Sequence, residues 1–123
     1  MRKIIAVDFD GVLCEDAWPQ IGEPIPHMIE AAKLEKRQGA ALILWTCRCG
    51  DRLSEAIEWC RHRGILFDAI NENLPERVAL YGTESRKISA DEYWDDRATP
   101  LSSVSLRYLV KRDAEIAMKE GRL

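Results

Sequence analysis

Two short runs in this chain, residues 3–9 (KIIAVDF) and 40–46 (AALILWT), are apolar at nearly every position. A strand with one wet face alternates polar and apolar side chains. A run without alternation suits a strand buried on both faces, the usual state of a parallel sheet covered by helices. The segments between them fit that arrangement. Residues 26–38 read as a helix: Pro26 suits its first position, Met28, Ile29 and Ala32 share a face, and Gly39 is a natural stop. Asp51 or Ser54 is placed to cap a second helix, in which Leu53, Ile57 and Cys60 recur at helical spacing before Gly64.

Residues 65–70 (ILFDAI) read as a third strand. Residues 71–86, interrupted by Pro75, Gly82 and Ser85, read as a loop with one helical turn near Val78. A fourth strand falls within residues 88–94, centred on 91–94, and a last helix runs from Ser102 or Ser103 toward Lys119. Strands alternating with helices imply right-handed crossovers. The expected fold is α/β: a three-layer sandwich around a mainly parallel, Rossmann-like sheet. A chain of 123 residues suffices for one domain with its own core, so residues 1–123 are read as a single domain.

Charge and composition exclude several classes of function. The formal net charge is −3, so the chain as a whole has no attraction for nucleic acid or anionic membranes. Its apolar runs fall far short of the roughly 20 residues that span a bilayer. Asp8 ends the first apolar run too early for a secretory leader, which makes the cytoplasm the expected compartment. The four cysteines, Cys14, Cys47, Cys49 and Cys60, then read as reduced thiols. With His62 three of them could be grouped as zinc ligands. Cys60 and His62, however, stand two apart on an expected helix and point about 200° away from each other.

In open α/β sheets, ligands bind at the carboxyl ends of the strands. Asp8 and Asp10 close the first run, with Gly11 directly after them, and Thr46 closes the second. Asp95 and Asp96 close the fourth strand, and Lys87 precedes it. Carboxylates crowded on one edge repel one another unless a cation neutralises them, and a hard, oxygen-loving ion such as Mg²⁺ suits them. An ammonium only donates, so the natural partner of Lys87 and Thr46 is an anion. Carboxylates, a divalent ion, a lysine and a hydroxyl together suit phosphoryl transfer.

The residues Asp8 to Leu13 (DFDGVL) resemble the first motif of the haloacid dehalogenase-like superfamily, an Asp-x-Asp-Gly at the end of an apolar strand. Thr46 resembles the second motif, Lys87 the third, and Asp95-Asp96 the acidic fourth, all in the family's order. The resemblance implies a phosphatase with an aspartyl-phosphate intermediate, with Asp8 as nucleophile and Asp10 as general acid and base. Thr46 would bind a phosphoryl oxygen, and Lys87 would offset negative charge. Mg²⁺ would be held by Asp8, the main-chain carbonyl of Asp10 and Asp96, with Asp95 in support. Arg48 is placed to add a contact to phosphate.

Neither stretch between motifs, 11–45 or 47–86, has room for a folded cap domain. An uncapped site implies a phosphorylated substrate that is large, or a cover supplied by a partner subunit. Receiver domains of two-component signalling use similar residues in another order, with the acidic pair first. A non-catalytic or phospho-accepting regulatory protein on the same scaffold is the remaining alternative.

Overall fold

The computed structural model describes residues 2–82 and 87–96, together with Lys119 and Gly121. The expected last helix therefore lies outside the described residues, Lys119 apart. The chain begins with strand β1 (Ile4–Val7), followed by a hairpin of β2 (Cys14–Ala17) and β3 (Gln20–Pro24). Helix α1 (Pro26–Arg37) leads to β4 (Ala41–Leu44), and helix α2 (Gly50–His62) leads to β5 (Ala69–Ile70). Helix α3 (Pro75–Tyr81) precedes the last described strand, β6 (Glu92–Trp94).

Four strands form one sheet in the order β5-β4-β1-β6, and every pairing in it is parallel. The uninterrupted apolarity of β1 and β4 has the expected cause: all eight of their residues are buried. Successive side chains point to opposite faces and enter two separate cores. On one face Ile5, Val7, Leu42 and Leu44 pack with Ile29 and Ala32 of α1 and Ala56 and Cys60 of α2. On the other, Ile4, Ala6, Ala41 and Ile43 pack with Ala69, Leu74 and Ile88. Among the described residues, no helix is long and apolar enough to cross a membrane.

Several local expectations are revised. The third strand is confined to its last two residues. Ile65 is buried in the core, but Leu66 is exposed, and the Asp68 carboxylate takes the Leu42 N–H (2.8 Å). Helix α2 starts at Gly50, ahead of both expected caps, and Asp51 instead lies in its first turn, where a negative charge is favourable. The turn near Val78 is a seven-residue helix that ends on Gly82 in the left-handed conformation (φ +75°). The largest omission is the hairpin, which fills residues 14–24, a stretch where the sequence predicts no element.

Candidate functional site

The strand order brings the acidic residues together. After β1 the chain moves to β4 and β5, then returns to lay β6 on the other side of β1. The two directions of travel part between β1 and β6, the kind of crevice where open α/β sheets bind ligands. Val7 is in register with Trp94, and the Asp8 N–H donates to the Trp94 carbonyl (2.9 Å). Parallel register therefore sets Asp8 beside Asp95 and Asp96. On the other flank the Trp45 N–H donates to the Val7 carbonyl (2.9 Å), which brings Thr46 to the same edge.

These residues line a cleft of about 430 Å³, together with Asp10, Asp16, Trp18, Trp45, Cys47 and Arg48. Carboxylate oxygens of Asp8, Asp95 and Asp96 lie within 4.8 Å of one another. Burial, reinforced by the charges of Asp95, Asp96 and Asp10, pushes the Asp8 carboxyl up to about 6, although the Phe9 N–H donates to it (2.8 Å). Three all-oxygen donors at this spacing fit a hard divalent cation such as Mg²⁺, which would remove the repulsion among them. Because β6 stops at Trp94, strand alternation does not part Asp95 from Asp96, and both reach the cluster.

Gly11 is built into this arrangement. Its φ is +88°, where a side chain costs about 1–2 kcal/mol. A Cβ there would stand 2.1 Å from Oδ2 of Asp96. Gly11→Ala is expected to displace Asp96 and weaken Mg²⁺ binding by about tenfold or more in a calorimetric titration, while the protein still folds.

Thr46 sits where its hydroxyl can serve an anion. Its Oγ1 accepts the Arg48 N–H (3.1 Å), and its own N–H donates to Asn71 Oδ1 (2.8 Å). The hydroxyl proton can still be donated into the cleft. Arg48 is paired within the cleft: its Nε and Nη2 donate to the two oxygens of Asp10 (2.8 and 2.7 Å). Lys87 does not line the cleft. It is exposed, with its Nζ 5.7 Å from the centre of the Tyr93 ring, and lines a second, open cleft with Tyr81, Ile88, Ser89 and Tyr93. The backbone here is held by Asn73, whose Oδ1 accepts the Ser89 N–H (2.6 Å), and by the Tyr93 hydroxyl, which donates to the Ile88 carbonyl. The cysteines form no metal group among the described residues: Cys14 and Cys60 are buried, Cys47 and Cys49 exposed.

No protein-family model matches the chain, and no curated protein matches it. One solved structure does, described as that of a conserved protein from Bacteroides thetaiotaomicron, with 41% sequence identity and a TM-score of 0.72. The match covers 91% of this chain and 93% of the other. This chain belongs to the family of that Bacteroides protein. The two are nearly coextensive, so the relative carries no domain-sized insertion that this chain lacks.

Four cleft residues were not anticipated: Asp16, Trp18, Trp45 and Cys47. Asp16 and Trp18 arrive on the hairpin, and Trp45, read as part of a buried strand, lies beyond β4 and is 37% exposed. A signal for the hairpin was present in Gly22. A Cβ there would lie 2.1 Å from the Glu15 carbonyl, the close backbone approach that a glycine inside a strand marks.

Proposed function

We propose that this protein is a magnesium-dependent phosphohydrolase of the haloacid dehalogenase-like type that cleaves a phosphomonoester through an aspartyl-phosphate on Asp8. The supporting observation is the junction of β1 and β6, where Asp8, Asp95 and Asp96 converge in one cleft with Asp10 and Thr46. In this reading the parallel sheet is the middle layer of a three-layer sandwich.

The ion would be held by Asp8, Asp95 and Asp96 with the Asp10 main-chain carbonyl. Once bound, it would neutralise the cluster and draw in a phosphoryl oxygen. An Asp8 carboxylate oxygen attacks phosphorus, and the bond from phosphorus to the ester oxygen breaks. Asp10 supplies the proton that the departing alkoxide takes up. Both Asp10 oxygens already accept from Arg48, but each keeps a second lone pair, one of which carries that proton before the transfer. In the second half, Asp10 takes a proton from water, the water oxygen attacks phosphorus, and the bond to Asp8 breaks. Inorganic phosphate leaves and the Asp8 carboxylate is restored. Thr46 donates its hydroxyl to a phosphoryl oxygen, and Lys87 offsets negative charge. An open cleft fits a large phosphorylated substrate, or one covered by a partner subunit.

The test is phosphate release from an aryl phosphate with and without Mg²⁺. The proposal expects many equivalents per protein with the ion and none without it. Stopping after one equivalent would indicate a phospho-accepting regulatory protein, and no release would refute the proposal.

A further inference from the structure

Arg48 is 2% exposed, yet it belongs to a cleft rather than to a core. Its guanidinium joins two parts of the molecule. Nε and Nη2 grip both oxygens of Asp10, while Nη2 also donates to the Gln20 carbonyl (3.0 Å) and Nη1 to the Pro19 carbonyl (3.3 Å). Pro19 follows β2 and Gln20 opens β3, so both acceptors lie at the hairpin turn. The guanidinium carbon also lies 5.1 Å from the centre of the Phe9 ring and 5.0 Å from that of Trp18. Phe9 stands between Asp8 and Asp10 in sequence, and Trp18 adjoins the turn.

We propose that Arg48 is a positioning residue that fixes the Asp10 carboxylate and locks the β2–β3 hairpin to it, so that the two move as one unit. The functional half rests on the phosphohydrolase reading, which gives Asp10 its work; the mechanical half does not. A planar fork with several fixed donors can hold a carboxylate at two points and still reach two carbonyls. A lysine ammonium is a point charge on a flexible stem and cannot reproduce that geometry. With its side chain 1% exposed and its donors directed at Asp10 and the turn, Arg48 acts on a substrate through Asp10 rather than by touching it.

Two measurements test this. The first needs no activity: hydrogen exchange in wild type, Arg48→Gln and Arg48→Lys. Exchange across residues 14–24 should speed up about tenfold or more in both variants, the scale of losing a hydrogen bond to a charged group, while α1 and α2 keep their protection. Wild-type protection of the hairpin in both would overturn the lock. If Arg48→Gln does not fold, Arg48→Lys and the charge-balanced Asp10→Asn/Arg48→Gln pair carry the same comparison.

The second measurement is phosphate release from an aryl and an alkyl phosphate. An alkyl leaving group depends more on acid assistance. Arg48→Gln should therefore lose more on the alkyl ester, as Asp10→Asn should, and adding it to Asp10→Asn should cost less than about threefold further. Equal losses on both esters that multiply with Asp10→Asn would mean direct contact with phosphate and would overturn the positioning role. If wild type releases no phosphate, the phosphohydrolase reading fails, and hydrogen exchange alone decides whether the lock exists.

Discussion

Asp8→Asn is expected to abolish phosphate release and yet to melt at a higher temperature than wild type at pH 7 with chelator present. The loss follows from chemistry: an amide cannot attack phosphorus, and removing the nucleophile costs on the order of a thousandfold or more in rate. The gain in stability follows from the position. Asp8 is pushed up to about 6, first by burial and then by Asp95, Asp96 and Asp10, against an ordinary value of 3.8. Between those two values the folded protein holds a proton that the unfolded chain has released. Folding is therefore penalised as pH rises through that window, and the penalty is complete above pH 6 and relieved below about 4.

Asparagine at this position is neutral at every pH and can still accept the Phe9 N–H through its amide oxygen. Thermal melts at pH 5 and pH 7 in chelator measure the effect, and the advantage of the variant should shrink at pH 5. Adding Mg²⁺ should reverse the order at pH 7, because wild type alone presents all three carboxylates to the ion and gains its binding energy. A variant that keeps more than about a tenth of wild-type turnover would exclude Asp8 as nucleophile. A variant no more stable than wild type in chelator would mean that the cluster is not strained.

The sheet was legible because burial on both faces leaves one mark, uninterrupted apolarity, and β1 and β4 carry it. Strand ends were legible to within a residue or two, enough to gather Asp8, Asp10, Thr46, Asp95 and Asp96. What failed to show in the sequence depends on contacts rather than on periodicity. The hairpin has one buried residue, Cys14, and therefore no apolar alternation to read. Helix α3 buries chiefly Arg77, whose Nη2 is paired with Asp91 (3.0 Å), so its inward face looks polar. Arg48 was singled out correctly as a cleft residue, but its partner comes from 38 positions away. No local spacing distinguishes an arginine that meets phosphate from one that meets a carboxylate.

The double variant Asp95→Asn/Asp96→Asn is expected to lose Mg²⁺ affinity by about a hundredfold or more, and each single variant by about tenfold. The family resemblance implies Asp96 as the ligand and Asp95 as support, and a strand continuing through both would turn them to opposite faces. With β6 ending at Trp94 that alternation lapses, and both carboxylates enter the same cluster, Asp95 half-buried and Asp96 exposed. Asp96 also packs where only a glycine at position 11 leaves room for it. Calorimetric titration of the three variants measures the losses directly. A double variant that binds Mg²⁺ like wild type would remove the cation from this cleft. Intact binding in one single variant would instead identify the other residue as the ligand. Turnover adds an independent reading. Burial, the largest cause of the raised Asp8 carboxyl, survives both substitutions. Asp8 should therefore remain harder to ionise than a free carboxyl in the double variant, now with fewer ligands to hold the ion that would offset its charge. Raising Mg²⁺ should restore the single variants toward wild-type turnover and leave the double variant far below it, because saturation can replace lost affinity but cannot rebuild the coordination that holds the ion against Asp8.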